Sequence, residues 1–215
     1  QQLEEAGANV IVDGILDIEG KDYIDTGYTE WGASGLAAVW AENNTRESIY
    51  EAFRRKETFA TSGSRIKVRF FGGYNLEKIL EEGDPIKYAY ANASSMGSDI
   101  LQNQNQVPEF MVWAIRDLKR APLDRVQIIK GWTELSGKPH EKVYDVACSD
   151  GRKANIKTGL CKDSRAKVNL SNCKISKNFG ADELKVVWKD PDFNPNLKAF
   201  YYVRVLENPT CRWST

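Results

Sequence analysis

A single histidine, His140, sets the first limit on the chemistry available to this chain. One imidazole cannot build a multi-histidine metal site or a histidine-rich acid–base centre. Glu141 follows it, but neighbours in a strand point to opposite faces, so the pair does not converge and His140 reads as a surface side chain. Serine and cysteine nucleophiles meet the same difficulty, because each needs an activating base within hydrogen-bond reach. Asp and Glu number 30, yet they are too scattered to single out a hydrolytic carboxylate pair. Arg65, Arg69 and Arg212 are the candidates for holding an anionic substrate through bidentate contacts. The simpler reading pairs them with surface carboxylates.

Cysteines stand at 148, 161, 173 and 211, with no C-x-x-C pair, which argues against a structural zinc site. An even number clustered late in the chain suits two disulfides and an oxidising compartment, periplasmic or secreted. The alternative is a set of reduced, buried thiols. Four cysteines admit three pairings, which the sequence leaves open. The pairing expected is Cys148–Cys161 with Cys173–Cys211. Its first bond would close a polar, Lys-rich loop and constrain the unfolded chain by about 3 kcal/mol. The basic stretch Arg152 to Lys167, interrupted by Asp163, then reads as a solvated loop rather than a phosphate or nucleic-acid site.

Composition narrows the classes further. The chain has 215 residues, 41% hydrophobic and 28% charged, the balance of an ordinary globular domain. Thirty basic residues offset thirty acidic ones, so the basic excess of a nucleic-acid binder is missing. The apolar runs, such as Leu36 to Trp40 and Ala199 to Val203, fall far short of the roughly 18 to 20 residues that cross a bilayer. The start at Gln1 and the end at Cys211-Arg212-Trp213-Ser214-Thr215 read as cuts in a longer polypeptide.

The elements that must position these residues change character along the chain. Val10-Ile11-Val12 suits a short strand, and Gly14 to Gly35 reads as a long loop. Asn44 with Glu47 three residues later suggests a capping box, and Ile49, Ala52 and Phe53 fall on one helical face. Nothing else in residues 1 to 62 reads as a sheet, so this face is expected to pack on a missing remainder. From residue 65 the period becomes two. Strands are expected at Ile66–Phe70, Lys87–Ala91, Phe110–Ile115, Val126–Ile129, Lys142–Ala147, Leu184–Trp188 and Phe200–Leu206. About seven short strands with few helices predict a mainly β fold, an antiparallel β-sandwich. Leu76 to Glu82 suits one exposed helix, and Trp113, Trp132 and Trp188 are expected in the sandwich core.

Several longer runs then bear on family. They are Gly35 to Ile49 (Gly-Leu-Ala-Ala-Val-Trp-Ala-Glu-Asn-Asn-Thr-Arg-Glu-Ser-Ile), Arg55 to Gly63, Arg65 to Gly73, Ala121 to Trp132, Glu141 to Ala147, Trp188 to Phe193, Ala199 to Glu207 and Pro209 to Thr215. In this order they resemble the C-terminal third of the bacterial domain-of-unknown-function 3604 family, which is similar to the PHP metal-dependent hydrolases. The resemblance implies that residues 1–62 finish a PHP-like β/α barrel, as rim loop and last helix, and that 63–215 form an appended β-sandwich. It implies a hydrolase of phosphoesters or other esters, using zinc, manganese or iron held outside this chain. An Asp-x-His motif would carry such a metal; none occurs here, so no metal ligand transfers. On that reading Tyr28, Glu30 and Trp31 would line the rim of the pocket. The partner implied is the N-terminal portion of the same protein, with a homo-oligomer left open. The alternative function is a non-catalytic β-sandwich binding or scaffold module.

Overall fold

The computed structural model describes residues 15–18, 21–24, 35–103, 106–176 and 178–211. In chain order, β1 (Ile15–Ile18) pairs antiparallel with β2 (Lys21–Ile24), placing a hairpin inside the expected loop. Val10 to Val12 lie outside the described residues. The hairpin falls in a different unit from the one formed by residues 35–211.

That larger unit begins with β3 (Leu36–Val39), α1 (Arg46–Arg54) and β4 (Thr58–Thr61). β3 and β4 pair antiparallel, so the stretch up to residue 62 does supply a small sheet, contrary to expectation. The helix start lies one residue later than the sequence suggested. Thr45 is the cap, its Oγ1 accepting from the Ser48 backbone N–H at 3.2 Å, while Ser48 Oγ accepts from Asn43 N–H. Ser48 therefore takes the reciprocal role assigned to Glu47. On the apolar face Ala52 is buried, whereas Phe53 and Tyr50 remain 51% and 60% exposed.

Next come β5 (Lys67–Gly73), a 3-10 turn at Ile79–Glu81, α2 (Pro85–Asn92), β6 (Ser94–Ser95) and β7 (Glu109–Ile115). β8 (Leu123–Thr133) and β9 (Pro139–Cys148) follow, then β10 (Val168–Asn169), β11 (Lys174–Ile175), β12 (Glu183–Lys189) and β13 (Ala199–Glu207). The expected strand at Lys87–Ala91 is the helix α2. Asp84 Oδ1 caps it at the Lys87 N–H and Pro85 stands in its first turn, two local signals that outweigh a short alternating pattern. The helix expected over Leu76–Glu82 reduces to the 3-10 turn. One side of it is buried, Leu76 and Ile79 packing against Phe71, Ala89 and Met111, while Glu77, Lys78, Glu81 and Glu82 are exposed.

The fold is mainly β, with antiparallel sheets and two α-helices among the described residues. A four-stranded sheet has the order β12-β7-β5-β6, and a three-stranded sheet the order β13-β8-β9. Alternation sends Ile66, Val68 and Phe70 to one side, where they meet Phe110, Val112, Val126 and Ile128 in a shared core. Burying each such Phe, Val or Ile side chain contributes about 1.5–3 kcal/mol. The other side of β5 and β7 carries Phe71 and Met111, which α2 and the 3-10 turn cover. Of the three tryptophans expected in the core, only Trp188 packs between the sheets. Trp113 lies on the outer face, donating to Glu183 at 2.6 Å with Lys185 over its ring, and Trp132 stacks on His140.

Candidate functional site

The two sheets are closed along one side and open along the other. β9 and β8 lie over β12, and Tyr201 of β13 sits 4.3 Å from Phe110 of β7. Beyond β13 the three-stranded sheet stops. Phe59, Met96 and Ile100 also pack against the shared core. The space left is a cleft of about 1560 Å³. One wall is the run Ala199 to Val205, the other Thr58 to Ser62, with Ile66, Val68 and Phe70 between them and residues 94–102 at one margin. Among the described residues β13 pairs only with β8, and β4 only with β3, so each wall presents an unpaired strand edge.

Gly97 sets the margin of this cleft. Its φ is +80°, and a Cβ there would lie 2.4 Å from the Lys56 backbone oxygen, so glycine alone lets the 94–98 turn close onto the end of α1. At the far end of β13, Glu207 lines the cleft with its Oε2 buried and without a hydrogen-bond partner. Burial raises its carboxyl pKa, and a hydrogen bond from Ser64 only partly offsets this.

An ionic cluster stands against the β13 wall. The turn Trp188-Lys189-Asp190-Pro191-Asp192-Phe193 folds back over β8 and β9. Asp190 is fully buried. Its Oδ2 accepts from Lys130 Nζ and from the Tyr201 hydroxyl, each at 2.6 Å, and its Oδ1 from the Asp192 N–H at 2.9 Å. Lys130 Nζ also donates to the Asp192 carbonyl at 2.6 Å. The Asp192 carboxylate accepts from Lys142 Nζ and from the Tyr144 hydroxyl, and these hydrogen bonds hold its pKa low. Burial, with hydrogen bonding to a carboxylate, pushes the phenols of Tyr144 and Tyr201 well above the usual tyrosine range. Both therefore act as fixed neutral donors.

A second cluster anchors the basic loop. Asp145, buried, accepts from Arg125 Nη1 at 3.1 Å, Gln127 Nε2 at 2.7 Å and the Cys161 N–H at 2.6 Å. Arg152 donates to the Asp124 carboxylate, the Ser149 carbonyl and the Lys162 carbonyl. The disulfide Cys148–Cys161 closes the loop, with Cα atoms 6.1 Å apart, and Cys173–Cys211 joins the following segment to the end of β13's exit, at 5.6 Å. Both expected pairings are present. The leading cation of the Arg152–Lys167 stretch is thus committed to holding backbone.

The structure does not bring the other candidate residues together. Arg65 is exposed, and its backbone N–H donates to Asp117 at 2.9 Å. Arg69 points away from the inter-sheet core, its guanidinium 3.4 Å from the Trp40 ring centroid, donating to the Tyr90 hydroxyl at 2.5 Å. Arg212, Tyr28, Glu30 and Trp31 lie outside the described residues. His140 meets Glu134 at 2.5 Å across its hairpin rather than Glu141. What sequence reasoning missed is the Lys130–Asp190–Tyr201 cluster. Its one visible signal was Lys130, which falls on the same alternating face as Val126 and Ile128.

Among the described residues no grouping of three His, Cys, Asp or Glu side chains is placed to hold a metal ion. The buried carboxylates of Asp190, Asp145 and Asp124, oxygen donors of the kind that hard cations favour, are already taken by Lys130, Arg125 and Arg152. What the arrangement offers is a cleft of mixed apolar and polar lining between strand edges, with the Ser64 hydroxyl hydrogen-bonded to Glu207 in its wall.

No curated protein and no solved structure matches the chain. The family model described as "Protein of unknown function (DUF3604)" matches residues 11–215, nearly the whole length. The chain belongs to the DUF3604 family.

Proposed function

We propose that residues 35–211 work as a non-catalytic β-module of a larger PHP-like, metal-dependent hydrolase acting on phosphoesters or other esters. The metal and its chemistry belong to another part of the same protein, whose barrel α1 would complete. The module braces that part and presents it with the cleft. One observation carries this reading: the fully buried Asp190 behind the β13 wall is held by Lys130 and Tyr201, while a cleft of about 1560 Å³ is left open. A side chain locked in that way holds architecture and is not free to move protons. The half-exposed Phe53 and Tyr50 on α1 support a further packed surface. The two disulfides support a periplasmic or secreted setting. Among the described residues no helix is long and apolar enough to cross a membrane.

The test compares this chain with the longer protein, each supplied with Mn²⁺ or Zn²⁺, on bis-p-nitrophenyl phosphate and p-nitrophenyl acetate. Turnover is expected only from the longer protein, and is expected to fall when residues 35–211 are removed. Metal-dependent turnover by this chain alone would place the chemistry inside it and end the proposal. A longer protein without turnover on either ester would favour the scaffold reading.

A further inference from the structure

We propose that Glu207 and Ser64 form a pH-sensitive latch that holds the end of β13 on the segment joining β4 to β5, closed while the carboxyl keeps its proton and released when the proton leaves to solvent. The proposal goes beyond the module reading and does not depend on it. Its first ground is the row on which Glu207 stands. Along β13, Tyr201, Val203 and Val205 pack against the shared core, and alternation puts Glu207 next in the same row. Across from it runs a second inward row, Ser64, Ile66 and Val68, exposed by only 7%, 8% and 6%. The end member of each row is polar where its neighbours are apolar, and the two polar members meet. The Ser64 hydroxyl hydrogen-bonds to the Glu207 carboxyl. Ser64 is itself fixed, because Thr61 Oγ1 donates to its carbonyl at 2.5 Å.

The second ground is what surrounds the carboxyl. Its Oε2 is buried, with no hydrogen-bond partner among the described residues. Opposite it on β8 stands Leu123, fully buried. The charged groups that face it come from the β7–β8 turn and oppose one another: Arg120 favours the carboxylate and Asp117 disfavours it. Asp117 is occupied in turn by the Arg65 and Lys119 N–H groups, and Asp124, beside Leu123, by Arg125 and Arg152. One hydroxyl and one cation do not replace the water that a carboxylate loses here. A neutral acid fits the row, whereas a carboxylate regains its water only by leaving it, which lifts the end of β13 off Ser64. Burial, the largest influence, holds the carboxyl's pKa above its ordinary value. The latch is therefore closed below the ordinary value and opens as pH rises through the raised one. The movement is local. The pairing of β13 with β8 shifts register between Leu206 and Glu207, and Asn208 is anchored beyond it to the Pro122 and Phe179 carbonyls.

The test follows amide hydrogen exchange in the oxidised 215-residue chain from pH 5 to pH 8, expressed as protection factors, which remove the intrinsic effect of pH. Protection across 205–207 and 64–66 is expected to fall about tenfold over this range, while β7 keeps its own. Glu207→Gln, which cannot ionise, is expected to hold its pH 5 protection at pH 8. Ser64→Ala, which takes away the hydroxyl donor, is expected to be less protected at pH 8 than the unchanged chain. An NMR titration of the Glu207 carboxyl carbon in the unchanged chain needs no variant, and is expected to run above the ordinary glutamate range. Five results would overturn the proposal: constant protection at 205–207 across the range, an equal loss across β7, a loss that persists in Glu207→Gln, Ser64→Ala indistinguishable from the unchanged chain, or a carboxyl that titrates at or below the ordinary glutamate range. None of these readouts involves ester turnover, so the latch and the module reading stand or fall separately.

Discussion

Replacing Asp190 with leucine isolates the buried ion pair that stiffens the β13 wall. The change removes the acceptor of three hydrogen bonds, from Lys130, Tyr201 and the Asp192 N–H. It also leaves the Lys130 ammonium, whose side chain is 5% exposed, without a carboxylate partner. Breaking one side of a buried pair costs about 3–5 kcal/mol, since the remaining charge stays desolvated. For a domain of this size each kcal/mol lowers Tm by about 2–4 °C, so a fall of roughly 6–20 °C is expected. Lys130→Met is expected to fall in the same range, from the opposite side. The double variant Lys130→Met/Asp190→Leu removes both charges and should lose only about 1–3 kcal/mol, chiefly for the unpaired Tyr201 hydroxyl and Asp192 N–H. Urea denaturation of all four proteins at pH 7, under oxidising conditions, completes the cycle. A coupling energy of at least ~3 kcal/mol is expected. Single-variant losses below ~1 kcal/mol, or additivity within ~0.5 kcal/mol, would refute the argument.

Other expectations follow from single features. Glu207→Gln should stabilise the chain at pH 7 and leave it unchanged at pH 3. A carboxyl whose pKa is raised on folding loses stability as pH rises from its ordinary value through the raised one, and glutamine removes that loss; denaturant midpoints at both pH values check it. Removing Cys173–Cys211, with 38 residues of separation, should cost about 4 kcal/mol, against about 3 for Cys148–Cys161 with 13; thermal melts of the two paired Cys→Ser variants decide the order. Gly97→Ala, which forces a Cβ onto the Lys56 backbone at a positive φ, should lose about 1–3 kcal/mol, and a melt within 2 °C of the unchanged protein would contradict it.

Much of the sheet was legible because its signal is local. Alternation at Ile66–Phe70, and short apolar runs bounded by turn residues at Phe110–Ile115, Leu184–Trp188 and Phe200–Leu206, mark strands, and β5, β7, β12 and β13 lie on those runs. Where both faces are covered the pattern blurs: β8 is buried at nearly every position, and its true ends lie well outside Val126–Ile129. α2 was misread because eight residues give too little periodicity to outweigh an apparent alternation. The pairs β3–β4, β10–β11 and β1–β2 were missed because two to four residues carry almost no pattern. The candidate site was harder still. Asp190 and Lys130 are 60 residues apart, and nothing in either neighbourhood points to the other.

By itself the sequence determined the class: a neutral, mainly β chain of the DUF3604 family, with four cysteines, one histidine and no apolar stretch of membrane length. These properties depend on composition, short-range periodicity and the order of motifs along one chain. Only the tertiary structure decided that the two sheets are unequal, that the edges of β13 and β4 face one cleft, and that Lys130 spends its charge on Asp190. Those are relations between residues far apart in the chain, set by which strand edge finds a partner and which does not. Strand pairing is a choice among edges, and an alternating pattern carries no label for its neighbour.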